Sequence, residues 1–94
     1  MSDVIVEFTH ESGCDERFRE RVRRQAEDSL QLDTGCHVFD VCIDPMRDDF
    51  VMLCEVYSDR DAFDDHLASA HFKDFDDTVR DWIVDQAIAT LHRI

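Results

Sequence analysis

The sequence predicts an α+β domain of order βαββαβ built on an antiparallel sheet, and three observations carry that prediction. Val4, Ile5, Val6 and Phe8 form a short apolar run; Phe18, Val22, Ala26 and Leu30 recur every four residues; and two β-branched and aromatic runs, residues 36–43 and 50–57, flank a turn built on Asp44, Pro45 and Asp48. The first is a strand, the second an amphipathic helix, and the third a hairpin.

Taken in order, Val4 to Phe8 forms the first strand, and Gly13 loosens the chain before a helix from Asp15 to about Gln31. The Phe18, Val22, Ala26 and Leu30 stripe faces the sheet. Five arginines between Arg17 and Arg24 resemble a basic patch, but Asp15 with Arg19 and Glu20 with Arg24 are favourable pairs four apart. That face is therefore expected to be solvated and paired. After the hairpin, Ser58 is placed as a helix N-cap, and Asp61 completes an acidic capping-box pattern ahead of Ala62, Phe63 and Leu67. His66 then sits beside the apolar face of this short helix, and His71 falls just after its end. Ser69 can cap a further helix with Phe72, Phe75, Val79, Trp82 and Ile83 on one side. Ala87 to Ile94 is expected to be the last strand. On the hairpin, Val51, Leu53 and Tyr57 alternate with Met52, Cys54 and Val56, so both faces are apolar. One face suits the helices, and the other is expected to meet a partner.

A chain of 94 residues is read as a single domain, 1–94. Its 23 acidic residues against 10 basic ones give a formal net charge of -13, which argues against nucleic-acid binding because phosphate contacts need an excess of Lys and Arg. The acidic shell is either a solubilising surface or an adaptation to high salt, where screening relieves self-repulsion. Cys14, Cys36, Cys42 and Cys54 lack C-x-x-C spacing, so no metal knuckle is supported; buried free thiols are expected, with Cys36 and Cys42 on one strand parity. No apolar stretch has the length to span a bilayer and the N-terminus has no basic-then-apolar pattern, so no membrane association and a cytoplasmic location are expected.

Gly35-Cys36, an alternating strand ending in Asp44-Pro45, the string Glu55-Val56-Tyr57, and then Phe63, His66, Leu67, Ser69, His71, Phe72 and Phe75 stand in a characteristic order and spacing. Together they resemble the antibiotic biosynthesis monooxygenase (ABM) domain family. With the flanking strands and first helix, the resemblance covers nearly the whole chain. It implies a ferredoxin-like fold that pairs into a dimeric α+β barrel. Family members include cofactor-free quinol monooxygenases and an isomerase of a phosphorylated quorum signal. The chain has no Asn and its one Trp is Trp82, so the Asn and Trp pair of a haem-degrading relative is missing.

Few groups suit a reaction, since there is no Gly-rich phosphate loop, G-x-S-x-G or H-E-x-x-H motif. His66 is either a core histidine holding a carbonyl or a functional group. His71 either helps to start a helix or joins it in the site. Glu55, inside a strand between Cys54 and Val56, is costly to bury alone and must meet a histidine, arginine or tyrosine, as a structural pair or as part of a site. The functional reading joins His66, His71, Glu55 and Tyr57 in one pocket. A histidine takes a proton from a phenolic or enolic substrate, Glu55 orients that histidine, Tyr57 binds the substrate oxygen, and Phe39, Phe72 and Trp82 wall out water. The resemblance implies a homodimeric monooxygenase that uses dioxygen on a quinol-like or polyphenolic small molecule with no cofactor and no metal. Two alternatives stand beside it, an isomerase of a small dicarbonyl compound, with or without a phosphate, and a non-catalytic small-molecule binding module.

Overall fold

A computed structural model describes residues Met1–Ile94, and its elements run β1 (Ser2–His10), α1 (Asp15–Leu32), β2 (Cys36–Asp44), β3 (Arg47–Tyr57), α2 (Arg60–Ala68), α3 (Ala70–Val79), a 3-10 turn (Arg80–Trp82) and β4 (Ile83–His92). The strands form one antiparallel sheet in the order β2-β3-β1-β4. This is the ferredoxin-like α+β arrangement expected from the sequence, with the second helical unit split in two.

One face of the sheet is built from every second residue. Val4, Val6 and Phe8 of β1 stand opposite Glu55, Leu53 and Val51 of β3, and all of these are buried. Phe18, Val22 and Ala26 of α1, Phe63 of α2, and Phe75 and Val79 of α3 close over that face to form the core. Each fully buried Val or Phe side chain contributes about 1.5–3 kcal/mol of hydrophobic stabilisation. The opposite face carries Ile5, Met52 and Cys54, all half-buried. No helix covers it.

Several sequence expectations are corrected. Leu30 is 48 % exposed, while Gln25 and Ser29 take the buried positions, because steps of four residues advance about 40° beyond a full turn and carry the stripe off the core. The pairs on α1 are Glu20 with Arg23 and Arg24 with Asp28, rather than Asp15 with Arg19 and Glu20 with Arg24. The hairpin turn is Pro45-Met46, steadied by the Asp44 side chain accepting from the Met46 N–H at 2.9 Å, and Asp48 lies inside β3. Asp59, not Ser58, caps α2, accepting from the Ala62 N–H at 2.8 Å. Ser58 instead meets His37 Nε2 at 2.6 Å. Ser69 caps α3 as expected, accepting from the Phe72 N–H. β4 starts at Ile83 rather than Ala87 and ends at His92. A register shift between Cys36 and Val38 breaks the strand parity, so Cys36 is buried while Cys42 is exposed and Cys54 half-buried.

Gly35 sits where the chain leaves α1 and runs against α2, and a Cβ there would lie 2.4 Å from the Ala62 Cβ. The added Cβ methyl has no rotamer with which to escape, so the α1–β2 turn must move. Gly35→Ala is expected to lower stability by about 1–3 kcal/mol, read as a lower urea midpoint at unchanged slope. An unchanged midpoint would show that this turn adapts freely.

Candidate functional site

Between the sheet and the helices lies a small cavity of about 50 Å³, lined by Val6 and Phe8 of β1, Gln25 of α1, Phe39 of β2, Leu53 and Glu55 of β3, Phe63, His66 and Leu67 of α2, Phe72 and Phe75 of α3, and Gln86 and Ile88 of β4. Its ionisable side chains are Glu55 and His66, and no lysine or arginine lines it. Ile88 is 59 % exposed and all of β4 beyond Ile83 is exposed, so the cavity meets solvent on the β4 side. A larger depression beside Ser12–Arg17 is open and lined by polar and charged residues without an apolar wall. An aromatic ligand is better matched by the apolar lining of the small cavity than by this open polar depression.

His66 is placed by α2. Two turns into that helix, it stacks near Phe63 and lies 5.1 Å from the Phe72 ring and 5.4 Å from the Tyr57 ring, measured between ring centroids. Its Nδ1 lies 2.7 Å from Asp33 Oδ2. Asp33 also accepts on its other oxygen from His71 Nε2, at 2.8 Å, and His71 Nδ1 lies 3.2 Å from Gln25 Nε2. An ionised carboxylate only accepts, so both ring nitrogens facing Asp33 carry protons. The Nε2 of a neutral His66 then holds the lone pair. Burial pushes the His66 pKa down, against the opposing pull of Asp33, and the ring is neutral at pH 7.

Glu55 is 4 % exposed, and the Tyr57 hydroxyl donates to its Oε1 at 2.5 Å. Burial raises the Glu55 carboxyl to about 7, partly offset by the Tyr57 hydrogen bond, with Asp33 adding a further upward push. Tyr57 is itself fully buried, and burial together with the neighbouring Glu55 moves its hydroxyl far upward, so it stays protonated. The Cys36 thiol is raised to about 11 by burial and is inert near neutrality.

The structure therefore brings His66, Glu55, Phe39 and Phe72 to one cavity. His71 and Tyr57 stand behind that wall, His71 bonded to Asp33 and Tyr57 to Glu55. Trp82 lies outside the cavity, in the 3-10 turn, with Arg17 stacked 5.3 Å over its ring. The carboxylate hydrogen-bonded to His66 is Asp33, and Glu55 is bonded to Tyr57 instead. Asp33 and Gln25 are the site residues that the sequence reading missed. One signal was available, since Asp33 is the C-cap of α1, where the helix dipole disfavours an acid and the last turn has no basic residue. Such a breach of a local rule points to a partner elsewhere. Asp33, His66 and His71 also have the residue types of a metal-ligand set.

The model of the antibiotic biosynthesis monooxygenase family matches residues 1–78. The chain belongs to the ABM family. Among solved structures, an ABM-assigned protein of Nitrosomonas europaea is 25 % identical with a TM-score of 0.93, covering 100 % of this chain and 99 % of that one. A Pseudomonas aeruginosa protein is 22 % identical at a TM-score of 0.89, covering 99 % and 93 %, and a conserved protein of Methanosarcina mazei is 17 % identical at 0.90, covering 99 % and 92 %. The latter two show the same fold. No curated protein is similar to this chain in sequence. The ABM family joins monooxygenases to related small-molecule binders, and no helix of this member is long and apolar enough to cross a membrane.

Proposed function

We propose that this ABM protein is a cofactor-independent monooxygenase of an uncharged, quinol-like aromatic. The observation that carries the reading is the cavity itself, with aromatic walls, one neutral histidine with a free lone pair, one carboxyl near neutrality and no cation. His66 Nε2 takes the phenolic proton, and the electron-rich anion bonds through a ring carbon to dioxygen. The imidazolium returns its proton to the peroxide so formed on a hydrogen-bearing ring carbon; the O–O bond breaks, that carbon's hydrogen leaves with the distal hydroxyl as water, and a carbonyl remains on the ring. Glu55 holds a second exchangeable proton against the cavity. The lack of a lysine or arginine counts against a phosphorylated dicarbonyl, whose dianion would have no counter-charge.

An oxygen electrode tests this with chelator-treated protein and a panel of neutral hydroquinones. Substrate-dependent uptake, with one dioxygen consumed per ring oxidised, is expected. Saturable binding without uptake would make the protein a binding module instead.

The open sheet face supports a homodimer. Val38, Phe50, Met52, Cys54 and Val56 lie on the side away from the helices, and Leu91 of β4 is 55 % exposed on that side. A two-fold pair of such faces makes a closed α+β barrel. Sedimentation is expected to give about twice the chain mass at micromolar concentration. A stable monomer there would contradict the pairing.

A further inference from the structure

We infer that Asp33, His66 and His71 form a binding site for a divalent transition-metal ion of the zinc class, reached through the acidic depression beside α2. One carboxylate oxygen and two ring nitrogens lie within 4.8 Å of one another. Donor atoms around a single zinc at about 2.0–2.2 Å stand about 3–3.5 Å apart, so small side-chain rotations suffice to converge them. The donors come from three segments, the C-cap of α1 and the helices α2 and α3, and their relative exposures are 11 %, 3 % and 11 %. Two imidazoles and a carboxylate with a position left open is a donor set that zinc accepts.

Two further observations point to a ligand. Gln25 is 1 % exposed and its Oε1 has no hydrogen-bond partner, while its Nε2 faces His71 Nδ1 at 3.2 Å. Turning the amide over puts Oε1 on His71 Nδ1, where it accepts the N–H that a ring bound through Nε2 must carry. The orphaned oxygen thus gains the partner that a metal-bound His71 supplies, and the amide nitrogen gives up its long 3.4 Å bond to Ser29 Oγ in exchange. Asp33 also lines an open depression with Asp59, Asp61 and Asp65. On a chain of net charge -13, that depression draws cations toward the two histidines.

Binding takes His66 Nδ1 and His71 Nε2 as ligands, so the proton that each directs at Asp33 moves to the other nitrogen of its ring. His66 Nε2 is then an N–H and accepts nothing from a substrate. The ion is therefore an inhibitor of the reaction, a consequence that rests on the proposed function, whereas binding itself does not.

The test titrates chelator-treated wild-type protein with Co²⁺, reading its visible absorption and the His66 and His71 ring resonances. One Co²⁺ per chain is expected, with both rings shifted by the paramagnetic ion and with Zn²⁺ displacing it. Asp33→Asn and His71→Gln should each weaken binding by about a hundredfold or more, since even loss of a supporting outer bond costs tenfold to a hundredfold. Asp61→Asn with Asp65→Asn should keep the stoichiometry. The site is overturned by no uptake, by uptake that leaves both rings unmoved, or by equal affinity in folded Asp33→Asn and His71→Gln; if those variants unfold, the wild-type ring resonances decide. Zn²⁺ bound at this site that leaves oxygen uptake intact overturns the inhibition, and with it the role of His66 as base, but not the site.

Discussion

Replacing His66 by Ala is expected to lower hydroquinone turnover by about a hundredfold or more in protein that still folds and keeps its assembly. His66 supplies the lone pair in the cavity, and its loss leaves only Glu55 as an ionisable lining group. His66→Gln keeps most of the packing against Phe63 and Phe72 and separates lost chemistry from a lost core contact. Asp33→Asn is expected to act in the same direction but less strongly, about tenfold to a hundredfold, because the amide no longer fixes the Nδ1 tautomer. A merely structural Asp33 would alter stability without moving the pH profile of turnover. Melting temperature and sedimentation are read for each variant beside kcat. Folded His66→Ala with full turnover would make His66 a core residue, and loss of activity in Glu55→Gln alone would transfer the role of base to Glu55.

The second large effect is on stability. Burial holds the Glu55 carboxyl at about 7 against an ordinary 4.5, so between those values the folded chain keeps a proton that the unfolded chain releases. The unfolded state then binds fewer protons, and unfolding free energy falls as pH rises from about 4.5 to 7. The Glu55 contribution to that fall is about 3 kcal/mol, the free-energy equivalent of its raised pKa. Glu55→Gln keeps an acceptor for the Tyr57 hydroxyl and removes the ionisation. Its stability relative to the parent should therefore rise across that window and level off above it. The measurement is a set of urea midpoints at several pH values for both proteins. Parallel curves would mean that Glu55 ionises in the folded chain as readily as in the unfolded one.

The fold was legible because its signals are local. The recurrence of Phe18, Val22 and Ala26 on α1, the alternation on β3 and the Ser69 cap each lie within a few residues, and each stands in the structure. The failures have equally definite causes. A strict spacing of four drifts around a helix and takes Leu30 off the core. Asp85 and Gln86 interrupt the apolar pattern of β4 ahead of Ala87 and hide its start, an interruption that an exposed edge strand tolerates. Of the site, Glu55 and Tyr57 were readable together, since residues two apart on a strand share a face. Asp33 was not, because its partners lie 33 and 38 positions away and only the packing of α1 against α2 and α3 joins them. Trp82 has the chemistry of a cavity wall, but the 3-10 turn carries it to Arg17.

The tautomer of His66 is the point on which the proposed chemistry turns. Nitrogen-15 NMR of the His66 ring at pH 7, in chelator-treated protein without substrate, observes it directly. The geometry predicts a neutral ring with its proton on Nδ1, held by Asp33, and an unprotonated Nε2. A ring protonated on Nε2, or on both nitrogens, would contradict His66 as the base.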